Sequence, residues 1–270
     1  MNIRRLGWAG VELEAEDGAV AVIDLLESTE SMRAFMGEPH TPLPGPSRPG
    51  SAVVALVTHL HGDHTDPDAI AAALGEDGVL LRPAPDTGPF LEIAATLEAE
   101  KRLVELGVRQ RIVNVWETVV VGPFRATAVP AVDGFGDPQV GWVVEADGTR
   151  VYHHGDTLFH GSWWRARMRV GDIDVAFLPV NGPLVSLPHR QPGSPRNAVM
   201  SPAEAAAAAQ LLGARVAVPI HYDTINNPPI YAQTDDPAGA FAREGAALGV
   251  DVRVLEPGER LVTEGATTAA

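Results

Sequence analysis

Apolar and polar positions along this chain repeat with two different periods, and the switches between them mark out strands and helices. Residues 3–24 read as two or three strands of a meander. Val11, Leu13 and Ala15 alternate with Glu12, Glu14 and Glu16, which places one face on a core and the acidic face in water. Residues 19–24 and 52–57 are continuously apolar and valine-rich, the pattern of strands buried on both faces. Asp66-Pro67 opens a helix with a capping carboxylate and proline at the first helical position; it runs over 68–74, with a short strand at 79–81. Residues 92–106 form an amphipathic helix, with Ile93, Leu97, Val104 and Leu106 among its apolar positions, stopped by Gly107. Strands follow at 112–115, 118–121 and 124–129. A hairpin then joins 141–145 to 150–154 through Asp147-Gly148. Residues 174–178 and 216–220 read as buried strands. Between them Ser201-Pro202-Ala203-Glu204 begins a helix over 205–212 by the capping-box pattern, its alanines suited to close helix packing. A last helix around 237–248, a strand near 252–255 and a loose tail at 263–270 complete the reading.

Two segments break this rhythm. Residues 25–50 hold a short helical stretch at 28–36 and then a run rich in proline and glycine; residues 182–199 carry Pro183, Pro188, Pro192 and Pro195. Loops this long inside a compact domain are functional or mobile. The first either forms a lip with Met32, Phe35 and Met36 on its underside or is a solvated insertion.

Composition narrows the class. With 270 residues, 45% of them apolar, the chain can bury a sizeable core as a single domain over residues 1–270, with insertions near 25–50 and 182–199. The net charge is −15, and the only lysine is Lys101. That balance argues against nucleic acid or an anionic membrane surface as the main partner. There are no cysteines, hence no disulfides, thiolate ligands or cysteine nucleophile. No apolar run reaches the length of a membrane span, and Arg4 and Arg5 are not followed by the apolar stretch of a signal peptide. A soluble, cytoplasmic protein with a small-molecule substrate is expected; assembly as a homo-oligomer stays open.

The chemistry concentrates in Thr58-His59-Leu60-His61-Gly62-Asp63-His64, where a buried strand hands over to a helix. His59 and His61 are two apart on a nearly extended chain, so their side chains leave on the same side. Gly62 is expected to let the backbone turn sharply, aiming Asp63 and His64 at a second position close by. Three imidazoles and a carboxylate suit a pair of borderline divalent ions.

The His-x-His-x-Asp-His pattern after a valine-rich strand resembles the signature of the metallo-β-lactamase-fold hydrolases. Ile23-Asp24, Gly155-Asp156-Thr157 and Pro219-Ile220-His221-Tyr222, each at a strand end, extend the resemblance over most of the chain. Order and spacing are most similar to the branch of ascorbate-6-phosphate lactonases and N-acyl-phosphatidylethanolamine phospholipase D. The resemblance implies an α/β (α+β) fold, a four-layer αββα sandwich. It also implies two divalent ions per chain, zinc or manganese, with iron as a further candidate. His59 and His61 would hold the first, Asp63, His64 and His221 the second, and Asp156 would bridge both. Asp24 is expected to support the site rather than to ligate.

The chain departs from the family pattern at one position. The loop after strand 124–129 reads Val129-Pro130-Ala131-Val132-Asp133-Gly134, with aspartate where the family has a histidine. Either Asp133 is a ligand, favouring a harder ion such as manganese or iron over zinc, or the first site is weak and Asp133-Gly134 is a plain turn.

The resemblance implies a metal-dependent hydrolase in which a metal-bridging hydroxide attacks a small ester or lactone, with Asp63 counted as catalytic as well as a ligand. Phosphodiester hydrolysis of the phospholipase D type is the alternative, with Arg190 and Arg196 available for a phosphate. A metal-binding module without catalysis is the third reading, fed by the Asp133 departure. His160 and His189 are candidate general acids. His153 and His154 precede Gly155-Asp156, so one must face the site and the other away. Of five tryptophans, Trp163 and Trp164 are the pair placed nearest the pocket, with ordinary packing the competing role.

Overall fold

Period-two segments pair into two mixed sheets, and helical segments fall between them in sequence. The computed structural model describes residues 1–262 apart from Pro89 and His189. In chain order these are β1 (Asn2–Arg5), β2 (Val11–Glu14), β3 (Val20–Ile23), α1 (Arg33–Met36), β4 (Ala52–Leu56), α2 (Pro67–Ala73), β5 (Leu74–Arg82) and α3 (Phe90–Glu105). There follow β6 (Gln110–Ile112), β7 (Thr118–Val121), β8 (Phe124–Pro130), β9 (Val140–Ala146), β10 (Thr149–His153), α4 (Trp163–Val170) and β11 (Val175–Pro179). The chain closes with β12 (Leu184–Val185), α5 (Pro202–Leu212), β13 (Val216–Ile220), β14 (Tyr231–Ala232), α6 (Pro237–Ala247) and β15 (Arg260–Leu261).

The first sheet has the order β15-β1-β2-β3-β4-β5-β6 and the second β13-β11-β10-β9-β8-β7, while β12 and β14 pair separately. Hairpin-connected strands run antiparallel, whereas β3 through β6 and β10, β11 and β13 run parallel. The β9–β10 hairpin turns on Asp147 and Gly148, both at positive φ, as a two-residue turn matched to strand twist requires.

Alternation along each strand then decides the layers. Val11, Leu13, Ile23 and Val54 of the first sheet meet Ala126, Trp142, Val144 and Phe177 of the second in one inner core. Val20, Val22 and Leu80 point outward onto Ile70 of α2 and Leu103 of α3. On the far side Val143, Tyr152 and Ala176 pack under Trp163, the alanines of α5 and Phe241 of α6. Small side chains let α5 lie close, with Ala205, Ala206, Ala208 and Ala209 all buried. The result is the expected αββα sandwich. No helix among the described residues is long and apolar enough to cross a membrane.

Four expectations need correction. Glu12 is buried rather than solvated, because Arg4 and the backbone of Ser47 cover it with hydrogen bonds at 3.1 and 2.8 Å. Residues 252–255 form no strand; Val252 makes a single bridge to Ala217, and the terminal strand is β15. Residues 113–115 lie beyond the end of β6. Gly62 is not in the left-handed region, and what it supplies is space: a Cβ there would stand 3.3 Å from Met32. Met32 of the first long loop thus sits over the His59–His64 turn, while Phe35 is exposed.

Candidate metal centre

The site forms along one edge of the sandwich, where strands of both sheets end. Asp24 follows β3, His59 to His64 follow β4, Asp133 follows β8, Asp156 follows β10, Asn181 follows β11 and His221 follows β13. Strands of both sheets therefore deliver the residues just past their ends to one place. Asp66 accepts from the Ala69 amide and caps α2, fixing where the histidine turn ends. Gly155 makes the Asp156 turn feasible: its φ is 58°, and a Cβ would lie 2.5 Å from Thr58 Oγ1.

Each histidine is oriented by a partner on its outer side, which leaves one nitrogen facing inward. The Thr58 hydroxyl donates to Asp24, so it accepts from His59 Nδ1 at 3.1 Å and leaves His59 Nε2 inward. His61 Nε2 donates to Asp137 Oδ2 at 3.0 Å, leaving Nδ1. His64 Nδ1 donates to Asp24 at 2.8 Å and His221 Nδ1 to Asn181 Oδ1 at 3.1 Å; the Nε2 atoms of both are buried and without a hydrogen-bond partner. Such outer partners fix the tautomer and aim the lone pair at a metal.

The carboxylates are held in the same way. Asp133 Oδ2 accepts from the amides of Phe135 and Asp137 at 2.7 and 2.9 Å, while Oδ1 is buried, unpartnered and 3.9 Å from His61 Nδ1. Asp133 is therefore both the turn residue and a donor aimed into the site. Gln139 Nε2 donates to Asp156 Oδ1 at 2.8 Å, and Trp8 Nε1 to Asp63 Oδ2 at 3.1 Å.

The inward atoms fall into groups within 4.8 Å: His59, His61, Asp133 and Asp156; His59, Asp63 and His64; and His64, Asp156 and His221. Donors around one ion stand about 3.3 Å apart when each is about 2.0 Å from it. His59 Nε2 and His61 Nδ1 are 2.8 Å apart, and His221 Nε2 is 3.4 Å from Asp63 Oδ2. Two lone pairs at 2.8 Å repel unless a cation or a proton lies between them. The donor set fits divalent metal, and all seven ligands expected from the sequence are gathered here.

Electrostatics reinforce the fit. Burial alone would lower the His61 and His64 pKa values. The Asp137 hydrogen bond with Asp133 and Asp156 instead raises His61 to about 9, and Asp63, Asp24 and Asp156 raise His64 to about 10. Burial, joined by the neighbouring imidazoles, holds His59 well below its ordinary value, and burial also brings His221 down to about 4. Burial raises Asp156 to about 7, whereas His64 and His221 hold Asp63 far below the carboxylate range against its burial. The surrounding carboxylates thus favour positive charge at His61 and His64, while burial keeps His59 and His221 neutral.

Backbone strain gathers around the same half of the site. Trp8, Asp24 and His221 all have left-handed φ, at 47°, 45° and 60°. Side chains other than glycine hold such angles only where packing enforces them. Here the His221 amide donates to the Trp8 carbonyl at 2.9 Å, and the two rings lie 3.9 Å apart.

Other residues are placed elsewhere. His160 accepts from the Ser162 amide and pairs with His154 at 3.0 Å, and its ring stacks on Trp163 under α4. Both its nitrogens are engaged on the outer face of the second sheet, and burial lowers its pKa to about 4. His189 lies outside the described residues. His153 faces inward, towards Asp24 and the Ala9 carbonyl, and His154 outward, as the dipeptide requires. Trp163 packs in the outer core and Trp164 is exposed; the tryptophan at the site is Trp8. Sequence reasoning did not single out Trp8, Asp137, Gln139 or Asn181. Only Asn181 carried a signal, a polar residue just past a buried strand, as at Asp24 and His221.

Comparison with known proteins agrees with this chemistry. Residues 21–222 match the model of the beta-lactamase superfamily domain. A UPF0173 metal-dependent hydrolase of Deinococcus radiodurans is 30% identical over 264 residues, 96% of this chain and 98% of that one. Among solved structures, the metallo hydrolase Igni18 of Ignicoccus hospitalis superposes with a TM-score of 0.64 at 21% identity, covering 97% of this chain and 98% of its own. CmlA of Streptomyces venezuelae, a diiron β-hydroxylase, reaches 0.70 at 16% identity over 96% of this chain and 53% of CmlA. The chain therefore belongs to the β-lactamase superfamily, as a member of its UPF0173 family of metal-dependent hydrolases.

Proposed function

We propose that the protein hydrolyses a small ester or lactone at a two-ion centre. His59, His61 and Asp133 would hold one ion, Asp63, His64 and His221 the other, and Asp156 would be shared. The observation that carries this reading is the meeting of two His/Asp donor groups at Asp156, with His64 Nε2, His221 Nε2 and Asp133 Oδ1 buried and unpaired. When bound, such a pair of ions lowers the pKa of a water and polarises a substrate oxygen. The protein's own part is positional. Gln139 fixes the rotation of Asp156, Trp8 fixes Asp63, and Asp24, Asp137 and Asn181 aim the imidazoles. With no cysteine and no Gly-x-Ser-x-Gly motif, the chain offers no sign of a protein nucleophile.

Two carboxylates beside two imidazoles favour manganese or iron over zinc at the first site. The fold neighbour CmlA is itself a diiron protein. One observation favours the phosphodiester alternative. The Arg190 guanidinium lies 5.0 Å from the Phe135 ring, whose centroid is 6.1 Å from that of His61. Its present partners are Asp137 at 3.8 Å and the Phe135 carbonyl at 2.9 Å, so a phosphate would have to take it from them. His160 is given no role in substrate protonation, since both its nitrogens are engaged.

Elemental analysis of wild type and Asp133→Ala, with turnover on lactone, ester and phosphodiester substrates, tests the reading. Close to two ions in wild type, falling towards one in the variant, with lactone or ester turnover, is the expected result. About one ion in both would remove the two-ion centre. Ion binding without turnover on any substrate class would make the protein a non-catalytic metal-binding module.

A further inference from the structure

The outer face of the second sheet carries a groove of about 420 Å³, on the side away from the inner core and towards the strand ends opposite the metal centre. It is lined by Trp116, Thr118, Arg125 and Thr127, by Arg150 across Glu145 from Arg125, and by Arg169, which lies over Trp116. Helices α4 to α6 roof this sheet over Tyr152, Ala176 and Ala217, and the groove opens where that roof stops, beside the last turn of α4.

Charge in the groove is not balanced as it is elsewhere. Most arginines of this chain are paired with a carboxylate, as expected at a net charge of −15. Arg125 and Glu145 are cross-strand neighbours, as are Glu145 and Arg150. Glu145 accepts from Arg150 at 3.0 Å, and Arg150 also donates to the Asp172 carbonyl. Arg125 and Arg169 have no carboxylate partner among the described residues. Arg169 instead lies 4.3 Å over the Trp116 ring, and Arg165, one turn earlier on the same face of α4, is likewise without a carboxylate. The lining therefore keeps two uncompensated positive charges on an acidic protein.

Those features suit an oxyanion. The Trp116 stack limits the rotamers of Arg169 and leaves its donor edge free, so less entropy is lost when it is engaged. The Thr118 and Thr127 hydroxyls bond each other at 2.9 Å, which uses one hydroxyl proton and leaves the other to donate. Guanidinium forks recognise planar or tetrahedral oxyanions in bidentate fashion. The geometry points to a site for a compact dianion, a phosphate monoester or a dicarboxylate, held by Arg125 and Arg169 and separate from the metal centre. It does not depend on which substrate the metal centre takes. Strand β10 links the two places, with Arg150 near its start and Asp156 just past its end.

Calorimetry on metal-loaded protein tests this, with inorganic phosphate and succinate titrated separately. The wild type should bind one of these anions in an event that the Arg125→Gln/Arg169→Gln double variant weakens by about tenfold or more. The Arg125→Lys/Arg169→Lys variant should retain part of that affinity. Arg260→Gln, which removes an arginine outside the groove, should change nothing. Phosphate bound only at the metal centre would be untouched by the double variant, so superimposed isotherms for wild type and double variant with both anions overturn the site. Equal weakening by Arg260→Gln overturns it as well, showing general charge attraction. Response to phosphate alone assigns the site to phosphate esters, and response to succinate alone to dicarboxylates. Thermal unfolding of each variant verifies that the fold is retained.

Discussion

Asp24 Oδ2 lies 2.8 Å from Nδ1 of His64, on the side of the imidazole turned away from the metal centre. Both residues are completely buried, and the other Asp24 oxygen accepts from the Thr58 amide. A carboxylate so placed raises the basicity of the opposite nitrogen and fixes its direction. Asp24 comes from one sheet strand and His64 from the turn after the next, so the parallel β3–β4 pairing creates the contact.

Asp24→Asn should therefore weaken the ion at His64, Asp63 and His221 by about 10–100-fold while leaving the fold intact. Competition with a chromophoric chelator measures this. An unchanged affinity would mean that the contact serves only packing.

Asp133→Asn separates the two roles of that residue. An amide oxygen can still accept from Phe135 and Asp137, but the group turned towards His61 becomes a poor ligand. The variant should keep the wild-type melting temperature after chelation and bind one ion fewer than wild type. A lower melting temperature with full metal content would make Asp133 a turn residue alone.

The histidine pKa values set a pH dependence for chelated protein. His61 and His64, raised from 6.5 to about 9 and about 10, contribute stability that is full below pH 6.5 and is lost as pH rises through those values. His221, lowered to about 4, contributes stability present above 6.5 and lost as pH falls towards 4. The melting temperature of chelated protein should thus peak near neutrality. The alkaline decline should vanish once metal replaces the protons, and binding at pH 8 should release about two protons per chain. Matched calorimetric heats in buffers of different ionisation enthalpy would contradict this.

Glu12 offers a test remote from the centre. It joins β1 to the 38–50 loop through Arg4 and Ser47. Glu12→Ala should cost about 1.5–3 kcal/mol in urea unfolding, because it removes the charge-assisted hydrogen bonds from Arg4 and Ser47 to this carboxylate. A change below about 0.5 kcal/mol would place Glu12 among ordinary surface residues.

Much of this protein follows from the sequence by itself. The periods that produce β4, α2, β9, β10 and α5 are local, as are the Asp66 and Ser201 caps and the Asp147-Gly148 turn. The spacing of His59, His61, Asp63 and His64 sets them on one turn whatever surrounds them. What tertiary structure decided are relationships between distant segments. Glu12 reads as solvent-facing until Ser47 and Arg4 cover it. Asp133-Gly134 reads as a ligand or a turn, and only the fold sets His61 and Asp156 near its free oxygen. Trp8 is a core residue that carries no mark of the site until its left-handed backbone meets His221 from the other end of the chain. Periodicity reports which face of an element is apolar, but not which polar group another strand end will bring to it. The site exists only because strand ends of two sheets converge at one edge of the sandwich.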